Sequence, residues 1–216
     1  MSDTGDHVIA RGFFLPSERD QLPQVPACNQ CNNEKSRIEH HLLTILPFGA
    51  RHAAATRTLN ELVPGRLQRN ERLHRDLLAA WNRQWRGAYA PRGVSQVMLP
   101  LDSRLVTRLC EYMMVGLAWH HWKADLAPPN QVRADFFNPA GAASFETLFA
   151  NSRWGKRLDV TLGAGTLVYR AAQDHNAPSR TIWRFSIYGA VMGGVPGQPH
   201  VRADAIFGLS NPAPEK

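Results

Sequence analysis

The C-terminal part of the chain alternates apolar and polar residues, and this pattern restricts the fold more than any other feature. The runs "VRADFF", "RLDVTLG", "TLVYRAA", "RTIWRFSIYGAV" and "VRADAIFGLS" lie between residues 131 and 210, separated by Gly, Pro, Asn and Asp. Alternation with a period of two places every second side chain on one face of a strand. The pattern predicts an antiparallel sheet with one buried face, with a short helix at "SFETLFAN" after the first strand.

Helical periodicity replaces this alternation in residues 51–125. The stretches "NERLHRDLLAAWNRQW" and "LDSRLVTRLCEYMMVGLAWHHW" are both long and periodic, and Asp102 is the expected N-cap of the second. We therefore predict an α+β fold in which the helices pack on the sheet. A small N-terminal module comes first in the sequence. The larger domain follows it and covers residues 51–216, with helices over 51–125 and strands over 131–210.

That module, residues 1–50, begins with "DHVIA", which is short and rich in strand-forming residues. The segment "LPQVPAC" contains two prolines, which exclude a central strand and leave a ribbon or an edge. Apolar residues then recur at spacings of three and four in "NEKSRIEHHLLTILPF". This spacing predicts a helix from about Asn32 to Leu46 that ends near Pro47.

The charge of the chain favours a polyanionic partner. The 216 residues include 25 Lys and Arg against 18 Asp and Glu, giving a net charge of +7, and the hydrophobic content of 44% is sufficient for a core. Arginines crowd the segment 51–92, and Arg69 and Arg72 are candidate phosphate contacts. For the net charge, the alternative is a basic protein without such a partner. For the arginine-rich segment, the alternative is a solvated helix face whose tryptophans pack inward.

Neither export nor a membrane span is predicted. The N-terminal stretch "MSDTGDHVIARGFF" lacks the basic start and apolar core of a signal peptide, and no run approaches the roughly 18 apolar residues of a span. A cytoplasmic location is the expectation. The three cysteines, an odd number, are then expected to be thiols, metal ligands or core residues rather than a disulfide framework.

Cys28 and Cys31 form a CxxC motif that provides half of a structural zinc site. Such a site needs four ligands, and His40 would lie about 13 Å along the helix axis from Cys31. Cys110 lies among apolar residues in "VTRLCEYMM", where a free cysteine is most often a core residue. A zinc site is incomplete unless a second chain contributes. A redox role is disfavoured because no βαβ pattern surrounds the motif.

Oxygen ligands next to this loop indicate a different metal site. Asp6 and His7 are adjacent on the predicted strand, and Asn32 follows the second cysteine at the predicted helix start. Carboxylate and carboxamide oxygens suit Mg²⁺ when water and a substrate phosphate complete its coordination. Neighbouring residues on a strand point to opposite faces, but at a strand end or a bulge both can serve one site.

The Asp6-His7 pair, followed by "LPQVPAC" and then by "CNQCNNEK", resembles the HNH, or ββα-metal, endonucleases over about residues 5–46. The resemblance implies that Asp6 and Asn32 hold one divalent ion, usually Mg²⁺, and that His7 is the general base. It also implies that Lys35 lies near the phosphate. The implied activity is metal-dependent hydrolysis of phosphodiester bonds in nucleic acid, with DNA as the expected substrate.

The chain departs from the family pattern in two places. Family members with this cysteine loop usually carry a further CxxC upstream of the Asp-His pair, whereas the five residues before Asp6 contain no cysteine. The family's middle asparagine, which steadies the histidine, has no counterpart between Arg11 and Cys28. These departures motivate an alternative function, that of an inactive descendant that binds nucleic acid or a partner protein.

Overall fold

The computed structural model describes residues 4–50, 52–82, 101–128, 130–137, 139–190 and 206–213. Within these ranges the chain forms six α-helices and two antiparallel sheets. The predicted α+β class is confirmed. No helix among the described residues has the length and hydrophobicity that crossing a bilayer requires.

The N-terminal segment forms a two-stranded ribbon followed by a long helix. Strand β1 (Thr4–His7) pairs with β2 (Gln24–Ala27), and helix α1 spans Asn29–Gly49. The strand is shorter than "DHVIA" because residues 8 and 9 already bend away from the ribbon. Pro26 is tolerated in β2 because a two-stranded ribbon consists of edge strands only.

Helix α1 starts three residues earlier than predicted and continues past Pro47. The early start reflects an unusual cap, since Cys28 Sγ accepts a hydrogen bond from Cys31 N at 3.3 Å. Pro47 has no N–H, so it cannot bond to the carbonyl of Leu43 four residues earlier. The Arg66 guanidinium donates to that carbonyl and also to the carbonyl of Gly12. Arg66 therefore satisfies the backbone group that the proline leaves free.

Four further helices precede the large sheet, and the last two lie at the two stretches predicted to be helical. They are α2 (Ala53–Glu61), α3 (Val63–Arg69), α4 (Glu71–Asn82) and α5 (Ser103–Trp122). Asp102 caps α5 as predicted, with its Oδ1 accepting from Arg104 N at 2.9 Å. The last residues of the predicted stretch "NERLHRDLLAAWNRQW", beyond Asn82, lie outside the described residues.

The second sheet has five antiparallel strands in the order β3-β7-β6-β5-β4. Its strands are β3 (Gln131–Phe136), β4 (Trp154–Leu162), β5 (Leu167–Asp174), β6 (Thr181–Ile187) and β7 (Ile206–Asn211). Helix α6 (Pro139–Ala150) is longer than the helix expected at "SFETLFAN". The part of "VRADAIFGLS" before residue 206 lies outside the described residues.

One continuous core joins the N-terminal segment to the sheet. Met113 and Leu117 of α5 belong to the same buried cluster as Trp183 of the sheet, and this cluster includes Val8 and Leu42. Residues on both sides of the predicted boundary at residue 50 thus share this core. A smaller cluster covers the opposite sheet face, where Phe145, Trp154, Ala172 and Ile182 meet.

The close approach of α5 to the end of β1 predicts the effect of a small substitution. A Cβ on Gly116 would lie 2.8 Å from Val8 Cγ1, whereas a Cβ on Gly65 in α3 would meet no atom within 4 Å. We expect Gly116→Ala to lower the free energy of unfolding by about 1–3 kcal/mol through overpacking. Gly65→Ala should leave it unchanged or raise it by up to about 1 kcal/mol. Urea denaturation of both variants measures this, and equal effects would contradict the packing.

Candidate functional site

A groove of about 660 Å³ lies between the ribbon, the first turns of α1, helix α5 and the start of β3. Its lining is mainly apolar and includes charges of both signs. The apolar residues include Val8, Val25, Val115, Leu126 and Val132, and the charged residues are Asp6, Glu34, Lys35, Arg108, Glu111 and Arg133. The groove is the place where most of the predicted site residues meet.

Ribbon pairing and the position of α1 bring the two predicted metal ligands to this groove. Asp6 pairs with Val25 in the ribbon register, and Asp6 and Val8 share the strand face that lines the groove. Because α1 follows β2 directly, Asn32 lies in its first turns and lines the same groove. The groove therefore contains a carboxylate and a carboxamide from opposite ends of the module.

Lys35 is buried and is bound to the ribbon. Its Nζ lies 2.9 Å from Asp6 Oδ2 and donates to Asp6 Oδ1 at 3.2 Å and to the His7 carbonyl oxygen at 2.6 Å. The same nitrogen lies 2.8 Å from Glu39 Oε1, one helical turn further along α1. The predicted phosphate-contacting amine is thus held by two carboxylates and a backbone carbonyl.

Of the two carboxylates around Lys35, that of Glu39 has an oxygen without a hydrogen-bond donor in the described part of the chain. Burial raises the pKa of its carboxyl, the charge of Lys35 opposes that rise, and the charge of Asp6 adds to it. Oε1 is within ion-pair distance of Lys35 but outside hydrogen-bonding geometry, and no donor among the described residues bonds to it. As an additional acid for the metal site, Glu39 is disfavoured in the sequence by its position about two helical turns beyond Asn32. Sequence reasoning missed its pairing with Lys35, although a spacing of four is a signal for such a pair.

His7 lies at the end of β1 with its ring bonded to the other strand. Its Nε2 is 2.8 Å from the side-chain nitrogen of Gln24, its partner in the ribbon register. Burial and the charges of Arg11 and Lys35 lower the pKa of the His7 ring, while Asp6 partly offsets this shift. The shift favours the neutral imidazole that a general base requires.

Gln24 was also missed by sequence reasoning, which sought an asparagine between the two strands. Its carboxamide is the group that steadies the ring, and its position follows from the ribbon register. His7 and Gln24 do not line the groove, whereas Asp6 and Val8 do. Asp6 and His7 therefore leave the strand on opposite faces, as regular alternation requires.

Cys28 and Cys31 are both exposed at the start of α1. Hydrogen bonds from the Cys31 backbone and then from its side chain lower the pKa of the Cys28 thiol. The hydrogen bond to Cys28, followed by burial, raises the pKa of Cys31. Cys110 is buried in α5, so the prediction of a core cysteine is confirmed. The half-site for zinc stays a prediction.

The two arginines predicted to contact phosphate lie apart from the groove. Arg69 ends α3 and Arg72 lies in the first turn of α4, and both are exposed. Arg69 Nε donates to the carbonyl of Gly65 at 3.0 Å. In the part of the chain that the structure describes, no three His, Cys, Asp or Glu side chains gather into a metal-binding group. Asn32, the second proposed ligand, is an amide and is not one of these residue types.

Comparison of the chain with models of protein families, with curated proteins and with solved structures gives no match. The resemblance to ββα-metal endonucleases accordingly rests on the motif residues themselves. The observed order of elements in this segment is strand, strand, helix, and membership of that family stays a prediction.

The raised pKa of Glu39 predicts a pH dependence of stability. Above the ordinary value of 4.5 and below the raised value, the folded protein holds a proton that the unfolded chain has lost. The free energy of unfolding of the wild type should therefore fall as pH rises through this window. Glu39→Gln removes the contribution, so the stability of the variant relative to wild type should rise with pH there.

Urea denaturation at a series of pH values measures this difference. Glu61→Gln, an exposed glutamate at the end of α2, is the matched control and should show no such trend. A difference between Glu39→Gln and wild type that stays constant across the window would contradict the raised pKa.

Proposed function

We propose that the chain is a metal-dependent endonuclease that hydrolyses phosphodiester bonds in nucleic acid, with DNA as its substrate. The observation that supports this is the meeting of Asp6 and Asn32 at one groove, next in sequence to a His7 ring steadied by Gln24. The excess of basic residues, at a net charge of +7, favours the approach of a polyanion.

The donor groups at the groove fit a hard divalent ion. Asp6 and Asn32 offer a carboxylate and a carboxamide oxygen, and Mg²⁺ commonly takes one or two carboxylates together with water and phosphate. A carboxylate has about four lone-pair positions, so the contacts of Lys35 leave room for a further partner on Asp6. When bound there, such an ion would neutralise the charge that develops on the phosphate.

In this proposal His7 takes the proton from the attacking water. The amide nitrogen of Gln24 faces Nε2 in the structure, and the proposal requires the carboxamide to be rotated by 180°. Gln24 Oε1 would then accept from Nε2–H and leave the lone pair of Nδ1 free. The lowered pKa of His7 keeps this lone pair available at neutral pH. Because Asp6 and His7 leave β1 on opposite faces, the proposal requires a phosphodiester that reaches both faces at the strand end.

Plasmid nicking tests the proposal. Wild-type protein should nick with Mg²⁺ and not with EDTA, and His7→Ala should lower the rate by about 100-fold or more, the usual contribution of a general base. Gln24→Ala should lower it by less, since it only orients the ring. His74→Ala, at an exposed histidine of α4, is the matched control and should keep the wild-type rate. Equal nicking by wild type and His7→Ala would remove His7 from the mechanism.

A second candidate, a non-catalytic nucleic-acid-binding or interaction protein, is favoured by the position of Lys35. Its ammonium lies 2.9 Å from Asp6 and neutralises that carboxylate without a metal ion. His7 also lies outside the groove that Asp6 lines. Under this alternative the exposed arginines of α3 and α4 would supply affinity through phosphate contacts.

DNA binding in EDTA at increasing salt separates the two candidates. For the second candidate, binding should persist in EDTA and weaken steeply with salt, and replacing both Arg69 and Arg72 with Gln should reduce the slope by about two counterions. Arg104→Gln, whose guanidinium bonds to Asp102 on its own helix cap, is the control. Metal-dependent nicking that His7→Ala abolishes would reject the second candidate.

A further inference from the structure

Two exposed cysteines lie at the start of α1, and the sulfur of one is bonded to the backbone of the other. Cys28 is the N-cap of this 21-residue helix, and its sulfur accepts the backbone N–H of Cys31 at 3.3 Å. In this first turn the backbone N–H of Asn32 donates to the Cys28 carbonyl at 3.0 Å, so Cys31 lies in a hydrogen-bonded helical turn that begins at Cys28.

The N-cap hydrogen bond places the Cys28 sulfur beside the residue that would be its disulfide partner. Because this sulfur already lies 3.3 Å from the backbone nitrogen of Cys31, we expect side-chain rotation to bring the two sulfurs to the bonding distance of about 2 Å without unfolding of the turn. The N-terminal end of a helix also favours negative charge on a capping sulfur.

Access to the pair comes from the groove. Both cysteines line it, next to the apolar side chains of Val25 and Val115. Arg133, on the groove side of β3, is exposed and forms no ion pair with another described residue. A small molecule that carries carboxylates can therefore approach the sulfurs beside a cationic group. Cys110 is buried in α5 and takes no part.

We propose that Cys28 and Cys31 form a reversible dithiol–disulfide pair that exchanges with low-molecular-weight disulfides of the glutathione type. The role is separate from the proposed nuclease activity and depends on the thiol geometry alone. Cys28 is the attacking residue because its sulfur caps the helix and accepts the hydrogen bond of the Cys31 backbone. Cys31 is the resolving residue because it is the neighbouring exposed cysteine.

The exchange balances as two displacement steps. The Cys28 thiolate attacks one sulfur of the external disulfide, whose S–S bond breaks, and the displaced thiolate leaves with the electron pair and takes up a proton. Cys31 then loses its proton, and its sulfur attacks Cys28 Sγ and displaces the second external thiolate. The protein loses two protons and two electrons, and the external disulfide is reduced to two thiols.

Titration of the full-length protein with mixtures of reduced and oxidised glutathione tests this, in the presence of a chelator and without oxygen. Samples are quenched with acid, alkylated and mapped by mass spectrometry. Native wild type should form one intramolecular disulfide that links Cys28 to Cys31, reversible with reduced glutathione. Cys110 should become alkylated only after unfolding, and Cys110→Ala should react like wild type.

Single variants assign the two roles. Cys31→Ser should stop at a stable glutathione adduct on Cys28, because no resolving thiol remains. Cys28→Ser should form its adduct on Cys31 at least about 10-fold more slowly. Equal rates in the two variants would overturn the assignment of the attacking residue.

Three results would overturn the proposal as a whole. The first is folded wild-type protein whose thiols stay reduced in oxidised glutathione. The second is the accumulation of disulfide-linked dimers or of a persistent mixed disulfide instead of the internal bond. The third is protein that purifies with zinc shared between the thiols of two chains and resists oxidation even with the chelator present.

Discussion

The buried ammonium of Lys35 connects the ribbon to the first helix, and the geometry of the groove depends on it. Lys35 reaches from α1 to the carboxylate of Asp6 and the carbonyl of His7. This contact between the helix and the strand is therefore made by a charged group and not by apolar packing. Removing one partner from a buried ion pair typically costs about 3–5 kcal/mol, because the other charge stays uncompensated. We therefore expect loss of this contact to destabilise the position of Asp6 relative to the first turns of α1.

A second cation has the same kind of structural role. Arg66 was counted among the arginines that crowd residues 51–92, yet its guanidinium is bonded to the carbonyls of Gly12 and Leu43. Burial lowers the pKa of Arg66, which is consistent with a group withdrawn from solvent. The chain's positive charge is thus divided between cations that hold backbone carbonyls and exposed ones, such as Arg72, that are free to meet a polyanion.

Sequence reasoning succeeded where the information is local. The strands of the large sheet follow from alternation between turn residues, and α5 follows from its periodicity and the Asp102 cap. It failed at the start of α1, because cysteine is not among the residues that usually cap helices. It could not find the ammonium contact either, since Lys35 and Asp6 are separated by 29 residues and meet only through tertiary folding.

At the candidate site too, local features could be predicted from the sequence and long-range contacts could not. Asp6, His7 and Asn32 could be named from their motif, and their positions in the fold are local to the strand and the helix start. The partner of His7 could not be named, because Gln24 faces it only in one register of a ribbon whose strands are separated by a long connection. A two-stranded ribbon is weakly specified by its own sequence, and this one is supported by contacts of α5 with β2 and of Lys35 with β1.

The contact between α5 and the ribbon has a consequence for how this protein can vary. Gly116 leaves space that the side chain of Val8 fills, so the two positions share one volume. Among homologous chains, a larger residue at the position of Gly116 should be accompanied by a smaller one at that of Val8. Covariation of these two positions would mark the strand and the helix as a single inherited unit, even where the residues of the groove diverge.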